Sequence, residues 1–253
     1  MNHARHLLLK CVYNTRDLGG YASAFGGTTR FGVFLRSDAP CDLPESDIRS
    51  LLDYGLTASM DLRSDGERLA RPSSLQHAAS YYEEPLFAQA AIYGEKPPVS
   101  PGASWTERYI DMAEISKDWA VRALTIAAKE KGCLLYHCTT GKDRTGLMTC
   151  YLLSIAGVSK EDIAADYCVS ELYLTPVYDR MRAGKVPISA STEGTAAPPP
   201  PSGDDFFRTP ASAMLGLIDY FDAQYGGVNA YLRAAGLSPE IVGAIRNKMI
   251  EPD

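Results

Sequence analysis

A chain of 253 residues, 45% hydrophobic and 22% charged, has the composition of a soluble globular protein and the length to bury a full core. Its formal net charge is −6 and no Lys- or Arg-rich run stands out, so a nucleic-acid-binding role has no electrostatic footprint. An anionic substrate would have to meet positive potential concentrated within one site.

Near the N-terminus, Leu7, Leu8 and Leu9 are followed at once by Lys10, too short a run for a secretory core of roughly 7–15 apolar residues. No stretch approaches the ~20 apolar residues of a transmembrane helix, so a cytoplasmic location is expected, with export by a route without a classical signal left open. Six cysteines (Cys11, Cys41, Cys133, Cys138, Cys150 and Cys168) contain no CxxC pair. Five of them are expected to be buried free thiols.

In chain order, Asn14-Thr15-Arg16-Asp17-Leu18-Gly19-Gly20 reads as turn chemistry opening the fold. A short strand is predicted over 31–35, ending at Arg36-Ser37. Ile48, Leu51 and Leu52 predict a helix over 44–54 that Gly55 stops. Residues 56–62 read as a buried strand with Asp61 at its end, and Tyr81 and Tyr82 as another before Pro85. A long, largely helical stretch is predicted over 103–131 and a short apolar strand over 133–137. Leu147, Met148, Tyr151, Leu152 and Ile155 form the apolar face of a helix closed by Gly157. Ser159 caps a further helix over 162–170.

The segment 184–210 breaks the pattern with four consecutive prolines and the pair Asp204-Asp205. It reads as a flexible insertion within one domain spanning 1–253. Helices follow over 211–225, 228–235 and 239–249. Strands alternating with helices first, and helices alone afterwards, predict an α/β fold: a mostly parallel central sheet flanked by helices, with a C-terminal helical layer or lid.

The segment from His137 to Gly146, His-Cys-Thr-Thr-Gly-Lys-Asp-Arg-Thr-Gly, lies between the apolar strand and the amphipathic helix. From average residue usage, its six key positions would match by chance with probability below ~10⁻⁵. A strand-to-helix turn aims successive backbone N–H groups inward and adds the positive end of the helix dipole, making an anion cradle. Gly141 permits the tight path. Arg144 can return across the loop and clamp two phosphoryl oxygens with its planar fork. Such a cup stabilises a thiolate at its base, so Cys138 is the candidate nucleophile toward phosphorus. The Thr145 hydroxyl is placed to hydrogen-bond that thiolate, and His137 is expected to fix the loop by hydrogen bonds. An ATP-type Gly-x-x-x-x-Gly-Lys-Ser/Thr loop and a CxxC redox site are both absent.

These residues resemble the signature of the protein tyrosine and dual-specificity phosphatase superfamily. The variant Gly-Lys-Asp-Arg-Thr-Gly, with Asn14 to Gly20 and Asp61-Leu62-Arg63-Ser64, is similar to the bacterial and fungal tyrosine-protein phosphatase subfamily, a likeness running from about Asn14 to about Met249. The resemblance implies a cysteinyl-phosphate intermediate, no metal or other cofactor, and a helical lid. It implies catalytic roles for Cys138 and Arg144. Thr139, Thr140, Gly141, Lys142, Thr145 and Gly146 become the candidate substrate-binding residues. Lys142 adds a cation that in phosphoinositide phosphatases helps hold extra ring phosphates, but Thr139 and Thr140 stand where those enzymes often carry a second basic residue.

The superfamily usually takes its general acid from an aspartate upstream of the nucleophile. Between Asp65 and Asp111 this chain has no aspartate, and the strand-end segment from Tyr81 offers Glu83, Glu84 and Glu95. Asp143, inside the loop, is therefore the candidate acid, its alternative role being a brace paired with a neighbouring Arg or Lys. Arg16, Asp17, Arg36, Asp61 and Arg63 are expected to form a structural ion-pair network. His3, His6 and His77 show no metal-ligand spacing. The expected substrate is a phosphorylated protein, with phosphotyrosine favoured. The alternatives are a phosphoinositide or inositol phosphate, or phosphate binding without turnover. The oligomeric state is left open.

Overall fold

The computed structural model describes residues 4–86, 103–182 and 208–251. Its strands are β1 (Arg16–Asp17), β2 (Thr28–Thr29), β3 (Phe34–Ser37), β4 (Leu56–Asp61), β5 (Ser80–Glu83), β6 (Cys133–His137) and β7 (Ile250–Glu251). The helices, in chain order, are α1 (Glu45–Tyr54), α2 (Asp65–Ala70), α3 (Trp105–Ile115), α4 (Lys117–Lys129) and α5 (Asp143–Ile155). There follow α6 (Lys160–Tyr173), α7 (Thr175–Arg182), α8 (Ala211–Tyr225), α9 (Val228–Ala234) and α10 (Pro239–Met249).

The main sheet has the order β1-β3-β6-β4-β5. Its last four strands are parallel and β1 lies antiparallel on the edge. The predicted α/β architecture with a helical C-terminal region is the one observed. Central β6 is buried along its whole length, as a strand covered on both faces must be. Its side chains alternate between two cores: Leu134 and Tyr136 join the large one beneath the C-terminal helices. Cys133 and Leu135 meet Leu51, Leu56 and Leu75 on the other face.

Register then positions the site. Ser37 of β3 and Asp61 of β4 both stand opposite His137, so three parallel strands end at one level. Crevices outside the carboxyl ends of such strands are where open α/β sheets bind ligands. Helix α5 leaves this edge and passes through the large core, with Leu147, Met148, Tyr151 and Leu152 fully buried. Burying each such side chain is worth about 1.5–3 kcal/mol relative to leaving it exposed.

Local signals account for the helix ends. Gly55 adopts φ +110° and its N–H bonds to the carbonyls of Leu51 and Leu52, which ends α1 where the sequence placed the stop. Gly157, at φ +76°, follows α5 in the same way. The largely helical stretch predicted over 103–131 is formed by two helices, broken at Ser116, whose backbone leaves the helical region at φ −113°, ψ 24°. The break lets α3 pack on α8 while α4 packs on α10, contacts that one straight helix could not make together. Helix α6 begins at the predicted Ser159 cap and runs beyond 170. The insertion expected over 184–210 lies outside the described residues except for 208–210. Among the described residues no helix is long and apolar enough to cross a membrane.

Candidate active site

Cys138 follows the last residue of β6 and is 2% exposed. The turn from Cys138 to the start of α5 requires glycine at one point. Gly141 sits at φ +67°, and a Cβ there would lie 2.4 Å from the Ser37 carbonyl oxygen and 2.5 Å from the Asp38 nitrogen. The outer face of the turn is tied down through its carbonyls. The Ala39 N–H donates to the Thr139 oxygen at 3.1 Å. Asn14 Nδ2 donates to the Thr140 and Gly141 oxygens, both at 3.1 Å, and Arg36 Nη2 to the Gly141 oxygen at 2.8 Å. Peptide planes are flat and trans, so drawing these oxygens outward turns the N–H groups of Thr140, Gly141 and Lys142 to the opposite, concave side. That is how an anion cradle is built.

The N-terminal motif explains itself in these contacts. Asp38 is fully buried and accepts from the backbone N–H of Asn14 (2.9 Å) and Tyr13 (3.1 Å). Burial pushes its carboxyl up to about 6 although those bonds favour the charged form. Arg16 binds Asp166 of α6, Nε to Oδ1 at 2.8 Å, and donates to Asn14 Oδ1 at 2.5 Å. Arg36 donates to the other oxygen of Asp166. Burial alone would raise the Asp166 carboxyl, but its two arginines hold it well below the usual carboxylate range. Asp17 accepts from the N–H of Gly19 (2.6 Å) and Gly32 (2.8 Å) and from the Tyr54 hydroxyl (2.7 Å), which shapes the turn at the paired glycines. Of the charges expected to form a structural network, Arg16 and Arg36 are joined here through Asp166, a hub that no sequence motif marked.

A second buried pair stands behind the loop. Arg63 bonds Asp61 through Nη2 at 2.7 Å and Nε at 2.9 Å, and the Tyr81 hydroxyl adds a bond at 2.6 Å. Burial opposes ionisation of Asp61, but neighbouring His137 and Arg63 bring its carboxyl down to about 2. His137 departs from expectation. Its ring nitrogens have no hydrogen-bond partner among the described residues, with Asp61 Oδ2 3.6 Å from Nε2. Burial pushes its imidazole down to about 4 despite that carboxylate, which favours the neutral ring at pH 7.

Arg144 is held by Glu67, a residue the sequence reading did not single out. Nη1 donates to Oε2 at 2.7 Å and Nη2 to Oε1 at 2.8 Å, a fork-to-fork pair that fixes the guanidinium plane. Further, longer contacts reach the Leu62 carbonyl (3.5 Å) and Thr139 Oγ1 (3.2 Å). The Thr139 hydroxyl also donates to Glu67. Burial would raise the Glu67 carboxyl, but Arg144 holds it far below its ordinary value. Glu67 is itself placed by a reciprocal cap: the Ser64 N–H donates to Glu67 Oε2 at 2.9 Å and the Glu67 N–H to Ser64 Oγ at 3.4 Å. The Ser-x-x-Glu spacing was a readable signal for α2. The clamp foreseen for Arg144 is thus occupied along its Nη edge, leaving Nε–H without a protein acceptor among the described residues.

Thr145 Oγ1 is buried and has no partner among the described residues, so the expected bond to Cys138 is not made. Gly146 lies inside α5, facing Tyr167. Lys142 does not extend into open solvent; its Nζ lies 4.1 Å from the Trp105 ring centre and 3.8 Å from Asp143 Oδ1. Asp143 Oδ1 accepts from the Tyr109 hydroxyl at 2.7 Å, and its side chain remains 40% exposed. The rival carboxylates are engaged elsewhere: Glu83 with Arg68 and Glu84 with Arg122, each at 3.2 Å. Glu83 stands opposite Asp61, which stands opposite His137. That places Glu83 two strand spacings, about 10 Å, from the end of β6. Glu95 lies outside the described residues.

A strand-to-helix turn at the carboxyl edge of a parallel sheet, with a guanidinium fixed beside it, is an arrangement able to receive a phosphoryl group. The chain belongs to the tyrosine phosphatase family, whose family model matches residues 7–251. It is similar to a protein of Cupriavidus necator named as a tyrosine-protein phosphatase, 29% identical over 238 residues that cover 91% of this chain and 84% of the relative. A tyrosine-protein phosphatase of Nostoc commune is 28% identical over 225 residues, 86% of this chain and 74% of the relative. A triple specificity protein phosphatase of Mycobacterium tuberculosis matches over 132 residues at 26% identity, 51% of this chain and 48% of its own.

Proposed function

We propose that this phosphatase hydrolyses phosphotyrosine in proteins through a cysteinyl-phosphate intermediate. The observation that carries the reading is Cys138 at the foot of a turn whose amides face inward. In the first step Cys138 Sγ attacks phosphorus and the bond from phosphorus to the tyrosyl oxygen breaks. Asp143 gives that oxygen its proton. In the second step Asp143 takes a proton from water, the water oxygen attacks phosphorus, and the S–P bond breaks to release inorganic phosphate and the thiolate. The N–H groups of Thr140, Gly141 and Lys142 receive the charge on the phosphoryl oxygens, with Arg144 presenting Nε–H beside them. The Thr145 hydroxyl, without a partner among the described residues, can rotate to bond the departing thiolate.

Lys142 favours a singly phosphorylated substrate. A cation meant for additional ring phosphates would point outward, whereas this one lies against Trp105 and Asp143. A rate panel tests the substrate class: a phosphotyrosyl peptide should exceed a phosphoseryl peptide and phosphatidylinositol phosphates in kcat/KM by about tenfold or more. Faster hydrolysis of the lipids would replace phosphotyrosine with a phosphoinositide substrate.

The acid is tested separately. Asp143→Asn should lower kcat/KM ~10²–10⁴-fold on phenyl phosphate, whose leaving oxygen needs a proton, and little on 4-nitrophenyl phosphate. A uniform loss would make Asp143 a brace.

A further inference from the structure

The first turns of α3 meet the loop in two successive places. Trp105 and Tyr109 are four residues apart, so they lie on one face of the helix. Trp105 covers Lys142 with its ring, and the Tyr109 hydroxyl bonds Asp143 Oδ1. The helix start is itself rigid, since Ser104 and Glu107 cap each other reciprocally. Tyr109 is 1% exposed and its ring stands edge-on to Tyr167 at 5.5 Å, which leaves its hydroxyl little freedom. Burial raises the Tyr109 phenol well above its ordinary value, so it keeps its proton and donates a hydrogen bond to the carboxylate oxygen.

We propose that Tyr109 is the positioning residue for the general acid: by donating to Asp143 Oδ1 it leaves Oδ2 as the oxygen that carries the proton toward the leaving group. The inference rests on Asp143 acting as that acid. A carboxyl group with both oxygens free would rotate about its Cβ–Cγ bond, and proton delivery would be spread over orientations that miss the leaving oxygen. With Oδ1 tied, one orientation is retained through both steps, and the same oxygen can take the proton back from water. The other groups facing Asp143 are Lys142 and Arg144 on its own turn, Tyr167 from α6 and Tyr178 from α7. Lys142 Nζ stands 3.8 Å from Asp143 Oδ1, a longer charge-to-charge contact. A direct hydrogen bond at 2.7 Å comes from Tyr109.

Tyr109→Phe removes the hydroxyl and keeps the packed ring. On phenyl phosphate kcat/KM should fall about tenfold, and on 4-nitrophenyl phosphate less than about twofold. Vanadate affinity should be unchanged. Introduced into the Asp143→Asn background, the same substitution should cost nothing further on either substrate, because the group it positions no longer carries a proton. Equal losses on the two substrates, weaker vanadate binding, or an undiminished loss in the Asp143→Asn background would show a general support of the loop and overturn the assignment. Asp143→Asn measured alone separates the two readings. If it shows leaving-group dependence and Tyr109→Phe does not, only the Tyr109 role falls. If Asp143→Asn shows none, the acid assignment and the Tyr109 role fall together.

Discussion

Cys138→Ser is expected to abolish turnover and to leave vanadate binding intact. A serine hydroxyl is not ionised at neutral pH, and burial lowers the basicity of the adjacent His137 ring, which would draw a proton from that hydroxyl poorly. The nucleophile would therefore be lost on the order of 10⁴-fold or more in kcat. The anion cradle, by contrast, is assembled from groups the substitution does not touch. Asn14, Arg36 and Ala39 hold the loop carbonyls, and Glu67 holds Arg144. Steady-state hydrolysis of 4-nitrophenyl phosphate and calorimetric titration with vanadate read the two properties apart. Near-normal turnover in the serine variant would end the covalent mechanism. Loss of vanadate binding would mean that the sulfur itself supports the loop.

Asp166→Ala should produce the largest change in stability. The carboxylate is 1% exposed and joins two arginines of similar burial, Arg16 and Arg36. Its removal strands two buried cations without a counter-charge. Breaking a buried pair in this way costs about 3–5 kcal/mol, against a total stability of roughly 5–15 kcal/mol for a typical domain. Asp166→Asn keeps the shape and should lose less, because the amide oxygen can still accept one bond. The effect should also reach the site, since Arg36 bonds the Gly141 carbonyl and Arg16 bonds the Asn14 side chain that holds the same carbonyl. Urea unfolding and vanadate affinity should therefore fall together. The exposed pair Arg49–Glu45 is the contrast, with side chains 70% and 79% exposed. An i,i+4 pair of that kind is worth only ~0.3–0.5 kcal/mol. A midpoint for Asp166→Ala as close to wild type as that of Glu45→Ala would contradict the argument.

Glu67 shows how a readable local signal can hide a distant role. The Ser64-x-x-Glu67 spacing is a helix-start signature, and the structure uses it as one. The same carboxylate then takes the guanidinium of Arg144, and nothing in residues 64–67 points to that partner. His137 shows the converse. Its place beside Cys138 suggested hydrogen bonds to the loop, but the strand that carries it is covered on both faces, and its ring nitrogens make no hydrogen bond among the described residues. The helical stretch over 103–131 was legible as helix but not as two, because the break at Ser116 answers to two different packing partners.

By itself the sequence determined the alternation of strands and helices, the stops at Gly55 and Gly157, the α8 helix, and the loop from His137 to Gly146 with its place between β6 and α5. All of these are contiguous: hydrophobic period, helix caps and a positive φ at glycine are set within a few residues. The tertiary structure alone decided which groups hold that loop in shape. Glu67 stands 77 residues from Arg144, Asn14 127 residues from Gly141, Asp166 150 residues from Arg16, and Tyr109 34 residues from Asp143. A carboxylate, amide or phenol carries no mark of its partner in its own neighbours. The pairing comes into being when the strands align at one edge and burial makes any unmatched charge or donor too costly to leave.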